Sequence, residues 1–166
     1  MPKILFPIKE TFIDYPDNES NALIIYFMGC SHNCGGCQNP DFQNMHYNNN
    51  TINVDSNILD SIIQDGFKRY NTNKIVLSGG DPLYSKNIEY TKELVLKYDV
   101  CIYTGYEMEY VHKFISGYKF IKCGKYIEEL HQLSEKTNQY IKFASTNQKL
   151  YNSKEKLLSV NGIYYF

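Results

Sequence analysis

Three cysteines stand within eight residues, in Cys30-Ser-His-Asn-Cys34-Gly-Gly-Cys37. Thiolates at this Cys-x3-Cys-x2-Cys spacing can hold three irons of a cubane cluster and leave the fourth iron without a protein ligand, open to a substrate. Gly29, Gly35 and Gly36 surround the cysteines, and glycine lets a backbone pass close to a bulky group at angles closed to other residues. The same thiolates would equally serve a structural zinc site, with His32 or His46 as fourth ligand. Simple burial accounts for them less well, since a Gly-rich loop offers three thiols no core face.

A second group of chemistry-bearing residues is Leu77-Ser78-Gly79-Gly80-Asp81-Pro82-Leu83. Glycines at a strand end leave backbone groups unobstructed, so the amino-acid part of a ligand can pair with them as an extra strand would. The plainer alternative is a loop and helix start with Pro82 at an early helical position. Coming one βα unit after the cysteine triad, the turn is read as part of the same site. Tyr103-Thr104-Gly105-Tyr106 is a further candidate, although its tyrosines suit a core or rim equally well. Cys101 reads as a small buried hydrophobe inside an apolar strand, and Cys123 as a mainly structural residue at a strand end that could face the site. With four histidines and five cysteines, no Cys–His pair of the nucleophilic kind stands out.

The elements that must position these residues can be read from periodicity. Asn21 to Met28 is a continuous apolar run ended by Gly29, the pattern of a parallel strand buried on both faces. Ile58, Leu59, Ile62, Ile63 and Phe67 recur at helical spacing behind a possible Asp55 or Ser56 cap. Lys74 to Ser78 predicts a second strand, and Ile88, Thr91, Leu94, Val95 and Tyr98 a second helix. Val100 to Tyr103 predicts a third strand, Glu107 to Ser116 a helical stretch, and Tyr118 to Ile121 a fourth strand. Strands alternating with helices imply βαβ units, a mostly parallel sheet, and chemistry at the C-terminal strand ends. A full eight-unit barrel takes about 250 residues, so the expectation for 166 residues is a single domain over 1–166 forming a partial, open β/α barrel.

Bulk properties narrow the partners. A formal net charge of -1 and 43% apolar residues give no sign of a nucleic-acid footprint, disorder or a charged tail. The longest apolar run is too short to cross a bilayer and the N-terminus lacks a signal-peptide pattern, so a cytoplasmic protein without a membrane partner is expected. Clustered cysteines in such a compartment argue for a metal rather than for disulfides.

The cysteine loop after the first strand resembles that of the radical S-adenosylmethionine (SAM) superfamily. Gly36, in place of the usual aromatic residue, and the following Gln38-Asn39-Pro40 are similar to the branch that activates anaerobic (class III) ribonucleoside-triphosphate reductase. So are the GGDP turn, the YTGY segment, Cys123-Gly-Lys-Tyr126-Ile-Glu-Glu-Leu130 and Phe143-Ala-Ser-Thr-Asn147-Gln148. The chain departs from the family at Cys123 and Lys125, where aspartate and proline are usual, and at Asp14-Tyr15-Pro16-Asp17, where many members carry a Gly-Pro-Gly turn. The resemblance implies a [4Fe-4S] cluster on Cys30, Cys34 and Cys37, with SAM chelated at the open iron. It further implies contacts to SAM from Gly36, Cys37, Gln38, Gly79, Gly80, Asp81, Tyr103 and Thr104. Reductive cleavage would give a 5′-deoxyadenosyl radical that takes hydrogen from a glycine of the reductase large subunit. Flavodoxin or ferredoxin would supply the electron. The alternatives are another small radical SAM enzyme, similar to a pyruvate formate-lyase activase or a deazaguanine synthase, or a non-catalytic zinc-binding module.

Overall fold

The computed structural model describes residues 1–18 and 21–166. In chain order the strands and helices are β1 Lys3–Leu5, β2 Lys9–Thr11, β3 Ala22–Phe27, β4 Thr51–Asn53, α1 Ser56–Tyr70, β5 Lys74–Gly79, α2 Ile88–Lys97, β6 Asp99–Tyr103, α3 Met108–Val111, β7 Phe120–Cys123, β8 Glu135–Lys136, β9 Tyr140–Lys142, β10 Lys149–Asn152 and β11 Ile163–Tyr165. β3, β5, β6 and β7 lie side by side and parallel. Antiparallel strands extend this centre at both edges, β10 beside β7 and β1 with β2 beside β3, while β4 pairs with β1. The sheet is open: its outer strands β10 and β4 have no mutual pairing among the described residues. The result is a mixed α/β fold with a parallel centre.

Alternation along each central strand separates two faces. Leu23, Ile25 and Phe27 of β3, Ile75 and Leu77 of β5, Val100 and Ile102 of β6, and Ile121 of β7 join one core. α1 supplies Leu59 and Ile63 to that core, one helical turn apart, and α2 supplies Leu94 and Val95. Gly66 lets α1 lie close to the sheet, for a Cβ there would come 2.8 Å from Leu23 Cδ1. α1 begins where the Asp55 side chain accepts from the Ile58 N–H at 2.8 Å and ends at Asn71 in the left-handed conformation, an N-cap and a C-terminal stop of ordinary type.

The opposite face carries Ala22, Ile24, Val76 and Cys101 with Tyr26, Tyr103 and Phe120. Over it sits a separate sheet of β11, β9 and β8, whose Ile141 packs with Phe143, Leu150 and Phe120. This second sheet is pinned to the main one by Lys136, whose ammonium donates to the Tyr15 carbonyl at 2.7 Å and pairs with Asp17 at 3.7 Å. Asp17 also pairs with Lys74 at 2.6 Å, and buried Tyr15 donates its hydroxyl to Asp99 at 2.5 Å. The Asp14-Tyr15-Pro16-Asp17 segment thus ties the starts of β5 and β6 to the C-terminal sheet.

Two predicted elements are corrected. The stretch from Glu107 to Ser116 is helical only over Met108–Val111, continued by turns whose carbonyls at Tyr110 and Val111 accept from Lys113 and Phe114. The fourth parallel strand begins at Phe120 rather than Tyr118, because buried Tyr118 serves the helix-side core before pairing starts. No helix among the described residues is long and apolar enough to cross a membrane.

Candidate metal centre

The C-terminal ends of β3, β5, β6 and β7 open into a cleft roofed by β9 and the segment after it. Cys30, Cys34 and Cys37 all line it, from the loop that leaves β3. β5 brings Ser78, Gly79 and Gly80 to the same wall, β6 brings Tyr103, Thr104 and Gly105, and β7 brings Lys122. Of the residues singled out for cofactor contact, Cys37, Gln38, Gly79, Gly80, Tyr103 and Thr104 face the cleft. Gly36 lies at the exposed outer side of the loop, at φ +68° with the Glu128 carboxylate against it. Asp81 is 1% exposed and lies beneath the cleft wall.

The glycine turn is held by the chain itself. Gly80 N–H donates to the Phe27 carbonyl at 2.7 Å and Asp81 N–H to the Gly29 carbonyl at 2.8 Å, so β3 and β5 stay zipped as the cysteine loop departs. A Cβ at Gly80 would come 2.4 Å from both the Gly29 and Phe42 carbonyl oxygens. Glycine is therefore required here for the approach of two backbones, a demand separate from any ligand.

Asp81 joins three loops. Its carboxylate accepts from Leu83 N–H at 2.8 Å, Gly105 N–H at 2.9 Å, the Thr104 hydroxyl at 2.9 Å and His32 Nε2 at 2.8 Å. An ionised carboxylate only accepts, so the His32 proton sits on Nε2. His32 is in turn stacked edge-on against Tyr106, with centroids 4.4 Å apart. Its ring packs so closely on Gly105 that a Cβ there would lie 2.4 Å from it. Gly105→Ala should therefore swing the ring away from Asp81 and cost about 1–2 kcal/mol, a few degrees of melting temperature for a domain of this size. In a His32→Ala background the same substitution should cost almost nothing, and equal costs in both backgrounds would refute the link.

The thiols behave as neighbours. Burial pushes Cys30 up to about 11, a shift opposed by the His32 N–H that donates to its Sγ at 3.4 Å and reinforced by Asp81, Cys34 and Cys37. Burial raises Cys34 as well, with Cys37 adding to it. Lys125 opposes the rise of Cys34, and a metal bound by these sulfurs would go further, since coordination deprotonates a thiol outright. Cys30 Sγ, His32 and the Asp81 carboxylate lie within 4.8 Å of one another. His46 is exposed and outside the cleft, which leaves His32 as the one nearby nitrogen of the two considered. His32 Nε2 is already spent on Asp81. Three thiols around one open cleft fit a cluster with an open corner; the Nε2 contact to Asp81 leaves Nδ1 of His32 with its lone pair, so the zinc alternative would draw its fourth ligand from His32 rather than His46.

A family model described as a 4Fe-4S single cluster domain matches residues 20–151, a span that contains the triad, the glycine turn and the whole parallel centre. The chain belongs to this 4Fe-4S family. It is also similar to proteins named anaerobic ribonucleoside-triphosphate reductase-activating protein. The one from Enterobacteria phage T4 is 28% identical over 132 residues, covering 70% of this chain and 78% of its own length. That from Escherichia coli K12 is 26% identical over 136 residues, with 71% and 82% covered, and that from Salmonella typhi is 25% identical over 130 residues with the same coverage. No solved structure matches the chain significantly.

Within this 4Fe-4S domain the remaining cysteines are set apart from the cleft. Cys123 points into the helix-side core and Cys101 packs beneath Ile24 and Val76, both thiols raised chiefly by burial. Lys122, between Ile121 and Cys123, was not among the residues singled out in the sequence. The signal was present as a lysine interrupting an apolar strand, whose alternation turns it to the cleft while its neighbours enter the core.

Proposed function

We propose that this chain is a glycyl-radical activating enzyme of an anaerobic ribonucleoside-triphosphate reductase, acting in the cytoplasm as a radical SAM protein. The observation that carries the reading is the sharing of one cleft by the three cysteines, the Ser78–Gly80 turn and the Tyr103–Gly105 segment, in a chain similar to activating proteins. On this reading the open sheet is a partial β/α barrel. Cys30, Cys34 and Cys37 hold the cluster, each anchoring a separate iron. When bound and reduced, the cluster and SAM together supply the 5′-deoxyadenosyl radical that takes a hydrogen atom from a glycine of the reductase.

The protein's own share is placement and shielding. Gly79 and Gly80 present backbone to the amino-acid part of SAM, with Gln38, Tyr103 and Thr104 on the adjoining walls and Gly36 at the edge of the cysteine loop. Asp81 acts by holding the loops in register, so its contribution to the ligand is made through His32, Thr104 and Gly105. The cleft is open to solvent at its mouth, and the reductase loop bearing the target glycine closes it on docking. A flavodoxin or ferredoxin delivers the electron.

The test is spectroscopic. Mixed without oxygen with reductant, SAM and the anaerobic reductase of the same genome, the reconstituted protein should generate a glycyl-radical signal by electron paramagnetic resonance. Changing the target glycine of the reductase to alanine should erase it. Brisk SAM cleavage with no glycyl radical, accompanied by consumption of a small molecule, would replace this reading with that of a small-substrate enzyme.

A further inference from the structure

The segment that follows β7 is fastened against the cysteine loop. Gly124 N–H donates to the Tyr106 carbonyl at 3.0 Å, and two carbonyls are held from the roof, that of Gly124 by Gln148 Nε2 at 3.3 Å and that of Lys125 by Asn147 Nδ2 at 2.9 Å. A short helical turn over Glu128–Leu130 then brings the chain under Thr146, whose N–H donates to the Leu130 carbonyl at 3.0 Å. Held in this way, Tyr126 N–H donates to the Cys34 sulfur, and the charge of Lys125 bears on the same thiol. The Glu128 carboxylate lies over Gly36, where a Cβ would come 2.9 Å from its carboxyl carbon. A larger residue at position 36 would take the space that Glu128 fills. One cation and one anion are therefore set beside the backbone between the second and third cysteines. Neither forms an ion pair among the described residues, with the other or with a third side chain. Neither charge is cancelled by a neighbour.

A cluster gains one negative charge on reduction, so a nearby cation favours the reduced form and an anion the oxidised form, and local charge is one of the settings of its potential. We infer that Lys125 and Glu128 set the reduction potential of the cluster in opposite senses, Lys125 raising it and Glu128 lowering it. The inference rests on the assignment of the cluster to Cys30, Cys34 and Cys37. The step concerned is the gain of one electron from an external low-potential reductant, with no bond formed or broken. A cluster raised in potential accepts that electron from a weaker reductant, and one lowered gives it up more readily. The balance of the two charges fixes which donors suffice. Lys125 stands where the family that the loop resembles usually has proline, which carries no charge, so the upward part of the adjustment belongs to this chain.

The test is a potentiometric titration of the reconstituted protein without SAM, with dithionite as reductant and the reduced cluster read by electron paramagnetic resonance. Lys125→Gln should make reduction about threefold to tenfold less favourable, and Glu128→Gln should make it more favourable by a similar factor, the size expected of one exposed unit charge near the loop. Tenfold is about 59 mV for one electron. The double variant should return close to the wild-type potential. The differences should shrink in about 1 M salt, where screening acts over about 3 Å. A loop merely loosened would move every variant in one sense and would not answer to salt. Iron and sulfide contents and melting curves should match the wild type, since both side chains are exposed. Shifts of the same sign, or unchanged potentials in fully loaded variants, would overturn the inference and leave the cluster assignment intact. A wild type that takes up no iron and sulfide would overturn both.

Discussion

Replacing any one of Cys30, Cys34 or Cys37 with alanine should leave a folded protein that cannot keep an intact [4Fe-4S] cluster. The three sulfurs stand on a loop whose backbone is fixed by contacts elsewhere: Gly29 N–H donates to Phe42 O at 2.7 Å and Cys30 N–H to Gln43 O at 3.1 Å. Each cysteine is only partly buried, so truncation removes little packing and should cost within about 0.5–1 kcal/mol of fold stability. What is lost is a ligand with no substitute at hand. The nearest other thiols are turned away, Cys101 beneath the cleft floor and Cys123 into the helix-side core. Cys101→Ala and Cys123→Ala should therefore retain iron and sulfide at wild-type levels, with a stability cost of the size expected for a small buried side chain. Iron and sulfide analysis, visible absorption and melting curves on all five variants decide the matter. Full iron loading in each of the three loop variants would sink the ligand assignment, and loss of the cluster in Cys123→Ala alone would replace one of its members.

The parts of this fold legible in the sequence are those whose patterns are long. β3 is read from an apolar run in which five of six strand residues are buried, and α1 from the recurrence of Ile58, Leu59, Ile62, Ile63 and Phe67, of which Leu59 and Ile63 are buried. β5, α2 and β6 follow the same logic, and together they place the cysteine loop, the glycine turn and the Tyr103–Gly105 segment at one sheet edge. The strands that escaped are short. β1, β2, β4 and β8 have two or three residues each, too few for a period to show, and they exist because a partner strand is present. The C-terminal sheet escaped for the same reason. Its role in roofing the cleft depends on Lys136 reaching Tyr15 across 121 positions of sequence, and no local window contains both ends of such a contact.

Site residues divide in the same way. The thiols are visible because three of one reactive type, at fixed spacing on a polar loop, suit metal ligation and little else. Asp81 is visible as a polar residue after two glycines, but its role is set by Thr104, Gly105 and His32, which come from two other loops. Lys122 could have been read as a lysine interrupting an apolar strand, with Ile121 and Cys123 turned to the opposite face, but the chain that roofs it comes from another part of the sequence. Gly80 and Gly105 are required by close contacts within the chain, to the Gly29 and Phe42 carbonyls and to the His32 ring, before any ligand is considered.

Asp81→Ala is expected to damage stability and cluster retention together, because one buried carboxylate closes the junction of three loops. Alanine would strand two backbone N–H groups, a hydroxyl and an imidazole N–H that now point at a common acceptor. A water molecule entering the vacated space could accept from two of the four, and the others would stay unpaired. Removing one partner of a buried charged network costs about 3–5 kcal/mol, a large share of the roughly 5–15 kcal/mol of a typical domain. The effect should extend to the metal centre through His32, whose N–H donates to Cys30 Sγ and whose ring would lose its tether. Asp81→Asn should fall between the two, since the amide keeps one acceptor oxygen but turns an NH2 toward donors. Denaturant unfolding of the metal-free proteins measures the first effect, and the rate of iron loss to a chelator from the reconstituted proteins measures the second. If Asp81→Ala unfolds within about 1 kcal/mol of the wild type, a cost typical of an ordinary single substitution, and releases iron no faster, then Asp81 does not lock the loops and the cysteines are positioned by the β3 and β5 backbones alone.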